Sequence, residues 1–141
     1  MVTEPLYTTE ILRLAAPPNE ALELEREDGR AELRSPTCGS RVVVSVQLDD
    51  DRRVCAISQQ VHACAFGQAS AALVQHHAVG RSHGEVGEAL VILSRWLAQE
   101  QDESGEWPGV GALEPARARQ GRHGAILLPF RALLAAIESA R

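Results

Sequence analysis

Aromatic residues are scarce in this 141-residue chain: two Trp, two Phe and one Tyr. Aliphatic side chains and alanines must therefore fill any core, and at this length one core is expected, in a single domain spanning residues 1–141. No surplus of basic charge exists either. The net charge is −5, and the arginines near Arg117, Arg119 and Arg122 lack interleaved aromatics, which argues against a nucleic-acid partner. No stretch reaches the roughly 18 consecutive apolar residues of a membrane span. The opening Met1-Val2-Thr3-Glu4-Pro5 has no basic segment followed by an apolar one, so a signal peptide is not expected. Three cysteines, Cys38, Cys55 and Cys64, are an odd number without a secretion signal, which favours reduced thiols and a cytoplasmic location over a disulfide framework. Repeats and low-complexity segments are missing. So are a nucleophile elbow, a phosphate-binding glycine loop and a catalytic triad, and the chain does not read as an enzyme.

What is present is a change of period halfway along. Apolar residues at Leu6, Ile11, Leu12 and Ala15 suit a short helix over 6–16 that Pro17-Pro18 ends. Two short alternating runs, at 22–25 and 30–34, flank Asp28-Gly29, a hairpin signal. Arg41 to Leu48 alternates most clearly, with Val42, Val44, Val46 and Leu48 on one side. Asp49-Asp50-Asp51 supplies a turn of solvated charges, and a further strand runs from Arg52 to Val61, with Cys55 expected in the core. The spacing then turns helical over 65–78. A capping box, Ser82-x-x-Glu85, opens a second helix expected to run to Gly105. Residues 106–124 read as loop, and a last helix is expected around 129–140. Strands first and helices afterwards predict an α+β fold, a small antiparallel sheet of three to four strands with helices packed on one face.

The candidate chemistry lies at the ends of elements. Cys38 sits in Ser35-Pro36-Thr37-Cys38-Gly39-Ser40, a turn before the strongest strand. Cys64 sits in His62-Ala63-Cys64-Ala65-Phe66-Gly67-Gln68-Ala69-Ser70, where a strand gives way to a helix. A thiol at a helix N-terminus meets the positive end of the dipole, which favours the thiolate that binds metal or attacks sulfur. Against this stands the fact that a lone cysteine is more often a small buried hydrophobe, and that a 26-residue gap is not a paired zinc signature. His76 and His77 point in different directions on one helix, and His83 lies within the capping box; all three read as structural or solvated. Trp96 reads as a core anchor, and Trp107 as an aromatic that packs over the helices or, less favoured, presents a partner surface.

The Ser-Pro-Thr-Cys-Gly-Ser segment resembles the Asn-Pro-x-Cys-Gly-Asp box of the iron–sulfur cluster assembly scaffolds, the family of IscU, SufU and the NifU N-terminal domain. Ala63-Cys64 with Ala69-Ser70 is similar to that family's Gly-Cys-x-x-x-x-Ala-Ser box, and Val79-Gly80-Arg81-Ser82 to its turn between two helices. The resemblance implies a scaffold that holds iron or a transient [2Fe–2S] cluster, with zinc as a further candidate, through Cys38 and Cys64. It also implies a cysteine desulfurase as sulfur donor and cluster-accepting proteins as partners. Two family positions differ. Ser40 stands where the box has an aspartate, and Ala125, in Arg122-His123-Gly124-Ala125, stands where the third cysteine falls. Tetrahedral zinc and a [2Fe–2S] unit each want about four ligands. His123 and His62 are candidates to make up the set, or a symmetric homodimer supplies two cysteines from each copy. Two alternatives share the fold: a metal-free sulfur-relay protein, and an interaction module of the assembly machinery that has lost the chemistry.

Overall fold

The computed structural model describes residues 8–15, 23–35 and 39–140. In chain order the elements are α1 (Thr9–Ala15), β1 (Gly29–Arg34), β2 (Arg41–Leu48), β3 (Val54–His62), α2 (Ala65–His77), α3 (His83–Leu97), a 3-10 helix (Val110–Ala116) and α4 (Gln120–Ser139). The three strands form an antiparallel meander in the order β1-β2-β3, the α+β architecture expected. Cys38, Leu6 and Pro17-Pro18 lie outside the described residues.

The pleat of β2 sends Val42, Val44, Val46 and Leu48 inward, all buried, because successive side chains alternate between faces. Opposite them stand Leu33, Ala31 and Gly29 of β1, and Val61, Gln59 and Ile57 of β3. Helix α4 covers the inner face of β1 and β2, α2 lies beside β3 and against α4, and α1 and α3 pack on the outside of these two helices. The fit of α4 to the sheet is close. A Cβ placed on Gly29 would stand 2.0 Å from the Ala136 carbonyl oxygen, so a side chain at that position has no room.

Gly29 is accordingly not a hairpin residue. It opens β1, and no strand occupies 23–25. Asp28 secures the strand entrance instead: its amide donates to the Val46 carbonyl, its carboxylate accepts from the Leu48 amide at 2.7 Å, and Arg26 pairs with it. Cys55, expected in the core, is exposed. A register irregularity between Gln47 and Leu48 interrupts the alternation there, so that Val54 and Ile57 are buried while Cys55 faces solvent. Its thiol donates to the Gln47 carbonyl.

The helical half departs further from its expected boundaries. Helix α3 ends at Leu97 rather than Gly105. Gln99 takes a left-handed φ of 61°, and Arg117 Nε donates to the last-turn carbonyl of Trp96 at 2.8 Å. Within 106–124, expected as loop, the 3-10 helix buries Val110, Leu113 and Ala116, and α4 has already begun at Gln120. The reason is burial on nearly every side. Ala125 to Phe130 is a continuous buried run, so α4 lacks the polar face that marks a helix by period, and Pro129 inside it reads as a start.

The turn between α2 and α3 is stitched to β3. The Val54 amide donates to the Arg81 carbonyl and the Gly80 amide to the Val54 carbonyl, with Gly80 at φ 93°. Both halves of the capping box are formed: Ser82 accepts from the Glu85 amide and Glu85 accepts from the Ser82 amide. Trp107 is packed as expected, its indole donating to the Leu73 carbonyl at 3.0 Å and its ring edge-on to Phe130.

Arg53, hydrogen-bonded to Glu85, and the Ser82 amide hold the Glu85 carboxyl below the ordinary range. A carboxyl so lowered contributes stability that is whole above its unfolded value and is lost as pH falls through the lowered one. Thermal unfolding followed from pH 6 to pH 3 should therefore show a midpoint falling below about pH 4, and Glu85→Gln should be less stable than wild type at pH 6, with a smaller drop on acidification. Parallel pH profiles for the two proteins would contradict this linkage.

Candidate functional site

Three segments meet where β3 runs into α2. The loop before β2 has its ends tied by the Ser35 amide donating to the Ser40 carbonyl at 2.9 Å, and Gly39 takes φ 71°, a conformation that favours glycine. Ser40, at the position of the family aspartate, is buried. The second segment is the N-terminal turn of α2. Cys64 is its N-cap, extended at φ −66° and ψ 175°, with no hydrogen bond from its side chain to the turn. Its carbonyl accepts from the Gln68 amide, and the residue is half-buried against the edge of the core. The first turn of α2 holds no acidic side chain, so the amides at this end keep their attraction for an anion.

The third segment is the start of α4. A Cβ on Gly67 would lie 3.5 Å from the Ala125 Cβ and 3.4 Å from the Ala125 carbonyl oxygen, and one on Gly124 would lie 3.5 Å from the Ser35 hydroxyl. Ala125 therefore faces the turn that carries Cys64, and the loop preceding β2 abuts Gly124. Pro129 deepens this juncture: lacking an N–H, it donates nothing to the Ala125 carbonyl one turn earlier. Ser70 of α2 reaches across to donate to the next carbonyl, Ile126.

The histidines are placed differently from one another. His62 ends β3 and is exposed, paired in register with Arg41. His123 lies on the first turns of α4, half-buried, with Nε2 2.8 Å from the Ala116 carbonyl oxygen. A carbonyl only accepts, so Nε2 carries the proton there and Nδ1 is the nitrogen left for any other ligand. His77 leans inward, its pKa lowered by burial and then by His76 and Arg81, whereas His76 is exposed. His83 pairs with Glu138 at the surface. Among the described residues no group of three or more His, Cys, Asp or Glu side chains stands together as a metal set; Cys38 lies outside them.

Two arginines that the sequence did not single out, beside the candidate His62, complete the surroundings. Arg34, Arg41 and His62 share one rung across the three strands, at the end of the sheet that leads to the Cys38 loop and to Cys64. Glu32 answers both arginines, at 2.8 Å to Arg41 and 3.6 Å to Arg34. The bond from Arg41 holds the Glu32 carboxyl below the ordinary range. One carboxylate against two guanidiniums leaves this edge of the site cationic. Only the strand register reveals the row, since 7 and 21 residues separate its members along the chain.

Fold and site together define a small α+β domain with Cys64 at one edge of its sheet, where β3 gives way to α2. Residues 6–104 match the family described as the NifU-like N terminal domain, and the chain belongs to that family. Among solved structures it is similar to a nitrogen-fixing NifU-like protein (N-terminal) from Brucella abortus, with 29% identity, 95% of this chain and 93% of that one covered, and a TM-score of 0.87. The fold also matches a putative iron–sulfur cluster assembly scaffold protein for the SUF system from the thermophile Fervidobacterium islandicum AW-1, at 18% identity, 94% and 96% coverage and a TM-score of 0.82. A hypothetical protein shares it at 23% identity and a TM-score of 0.73, over 94% of this chain and 97% of that one. No curated protein sequence matches the chain. No helix among the described residues is long and apolar enough to cross a membrane.

Two substitutions test the geometry. Ala125→Cys should retain more zinc through gel filtration than wild type, because it places a thiol facing the Cys64 turn; unchanged retention would show that position 125 does not open onto the same space. His123→Ala should lower stability by about 1 kcal/mol through loss of the bond to Ala116, read by denaturant unfolding, and an unaltered midpoint would remove that structural role.

Proposed function

We propose that this chain acts in iron–sulfur cluster assembly as a scaffold-like protein, holding iron or a transient [2Fe–2S] unit as cargo and passing it on rather than turning over a substrate. The observation that carries this reading is the position of Cys64. It is a half-buried thiol at the bare N-terminus of α2, in a family that includes the scaffold fold, and the start of α4 faces the same turn through Ala125. Cys38 and Cys64 are the ligands we assign to the cargo. Ala125 and Ser40 contribute neither thiolate nor carboxylate, so one copy falls short of four ligands. The remainder comes from a second copy across a two-fold axis, or from His62 and the Nδ1 of His123.

Weak retention suits a carrier. A cargo held by few ligands leaves readily when an acceptor offers more, and the guanidiniums of Arg34 and Arg41 offset the negative charge of clustered thiolates. Sulfur enters by exchange with a cysteine desulfurase. The Cys64 thiolate attacks the outer sulfur of the enzyme's persulfide, one S–S bond forms as another breaks, and the enzyme's thiolate leaves. No net oxidation is required.

Anaerobic reconstitution with iron and sulfide tests the proposal. Wild-type protein should develop visible absorption with iron and acid-labile sulfide in equal amounts, at one cluster per two chains if the copies share it. Cys38→Ser and Cys64→Ser should each abolish the colour and Cys55→Ser should not; colour persisting in the double variant would sink the assignment.

A further inference from the structure

Away from the cysteines, the outer side of α3 and the segment 103–107 enclose a cavity of about 290 Å³. Its walls combine Ala89 and Ile92 of α3 with Trp107, and Glu88, Glu103 and Glu106 stand exposed around them. The shape is set by a close approach. Gly105 takes φ 90°, and a Cβ there would fall 2.8 Å from Ile92 Cγ2, so the segment lies directly on the helix.

The charges are unbalanced. Glu85, also in the wall, is engaged by Arg53 and by its capping box. Among the described residues Arg81 is the sole cation lining the cavity, and it is laid on the wall itself and pairs with none of the three exposed carboxylates: its guanidinium carbon lies 4.7 Å from the Trp107 ring centroid, and Nε donates to the His77 carbonyl. Among the described residues no lysine, arginine or histidine pairs with Glu88, Glu103 or Glu106. Three unanswered carboxylates beside an aliphatic and indole wall match one kind of side chain well. Arginine and lysine lay an apolar stem along such a wall and keep a charged head at its edge.

We propose that this groove docks a basic segment of a partner protein, one in which arginine or lysine alternates with aliphatic residues. Charge complementarity carries the choice of occupant: an acidic or neutral segment would leave the carboxylates facing each other across a desolvated contact. The surface is separate from Cys64, so a partner is held here while the cysteine edge stays open.

The probe is a fluorescein-labelled peptide of alternating leucine and arginine, titrated by anisotropy at about 50 mM salt, where such charge pairs are weakly screened. Saturable binding to the full chain is expected, weakened at least about tenfold in Glu88→Gln/Glu103→Gln/Glu106→Gln. It should be unchanged in the equally neutralised control Glu23→Gln/Glu25→Gln/Asp51→Asn, and in Cys38→Ser/Cys64→Ser. Absence of saturable binding, equal affinity for the groove variant, or the same loss in the control would overturn the proposal. So would a change in the sedimentation of the protein alone on altering the groove, since a second copy of the chain would then be the occupant.

Discussion

Helix α4 lies against the sheet at the limit of what backbone atoms allow, with the Ala136 carbonyl filling the space a side chain at Gly29 would need. Much else follows from that contact. A helix held this close is buried on most of its circumference, which explains its run of Ala125 to Phe130 without a polar residue. It also obliges α2 to approach through small residues, and Gly67, Ala71 and Ser70 meet that demand. Ser139 at its far end donates to the Arg30 carbonyl and accepts from the Arg30 amide, tying the outer edge of β1. The helix thus bridges the sheet and the helical layer, and its first turns reach the place where β3 becomes α2.

The cysteine edge inherits its form from this arrangement. An alanine at position 125 packs tightly against the α2 turn where a thiol would reach the same space, and Pro129 leaves the Ala125 carbonyl without its helical donor. The juncture is therefore small and apolar on the α4 side, and half-open at Cys64. On the strand side Arg34 and Arg41 supply positive charge with one carboxylate, Glu32, against them. An edge built this way favours an anion electrostatically, while among the described residues it gathers no set of three or more metal-ligating side chains.

The two faces of the helical layer differ in character. At the α2–α4 juncture the side chains are small and the backbone carries the polarity. On the outer side of α3, Glu88, Glu103 and Glu106 surround an aliphatic wall that Trp107 closes from below, with Arg81 laid on the indole. Trp107 links the two regions physically, since its N–H donates to the Leu73 carbonyl of α2.

Local patterns in the sequence were enough for β2, α2, the Ser82–Glu85 cap and the α+β order, because alternation, helical period and capping chemistry depend on neighbours a few residues apart. Cys64 was legible as a helix N-cap for the same reason, and the two boxes around Cys38 and Cys64 pointed to the family. The start of α4, the exposure of Cys55 and the role of Gly29 were not legible. Each depends on a partner far along the chain: complete burial erased the amphipathic period of α4, a register slip opposite Gln47 turned Cys55 outward, and a carbonyl from residue 136 decided what fits at residue 29. The cationic row and the acidic groove belong with these, since strand pairing and helix packing alone bring their members together. Sequence by itself determined the alternating, helical and capped local elements and the place of Cys64 at the start of α2; tertiary structure decided which side chains share a space, because that is settled by contacts between segments that no short window of sequence contains.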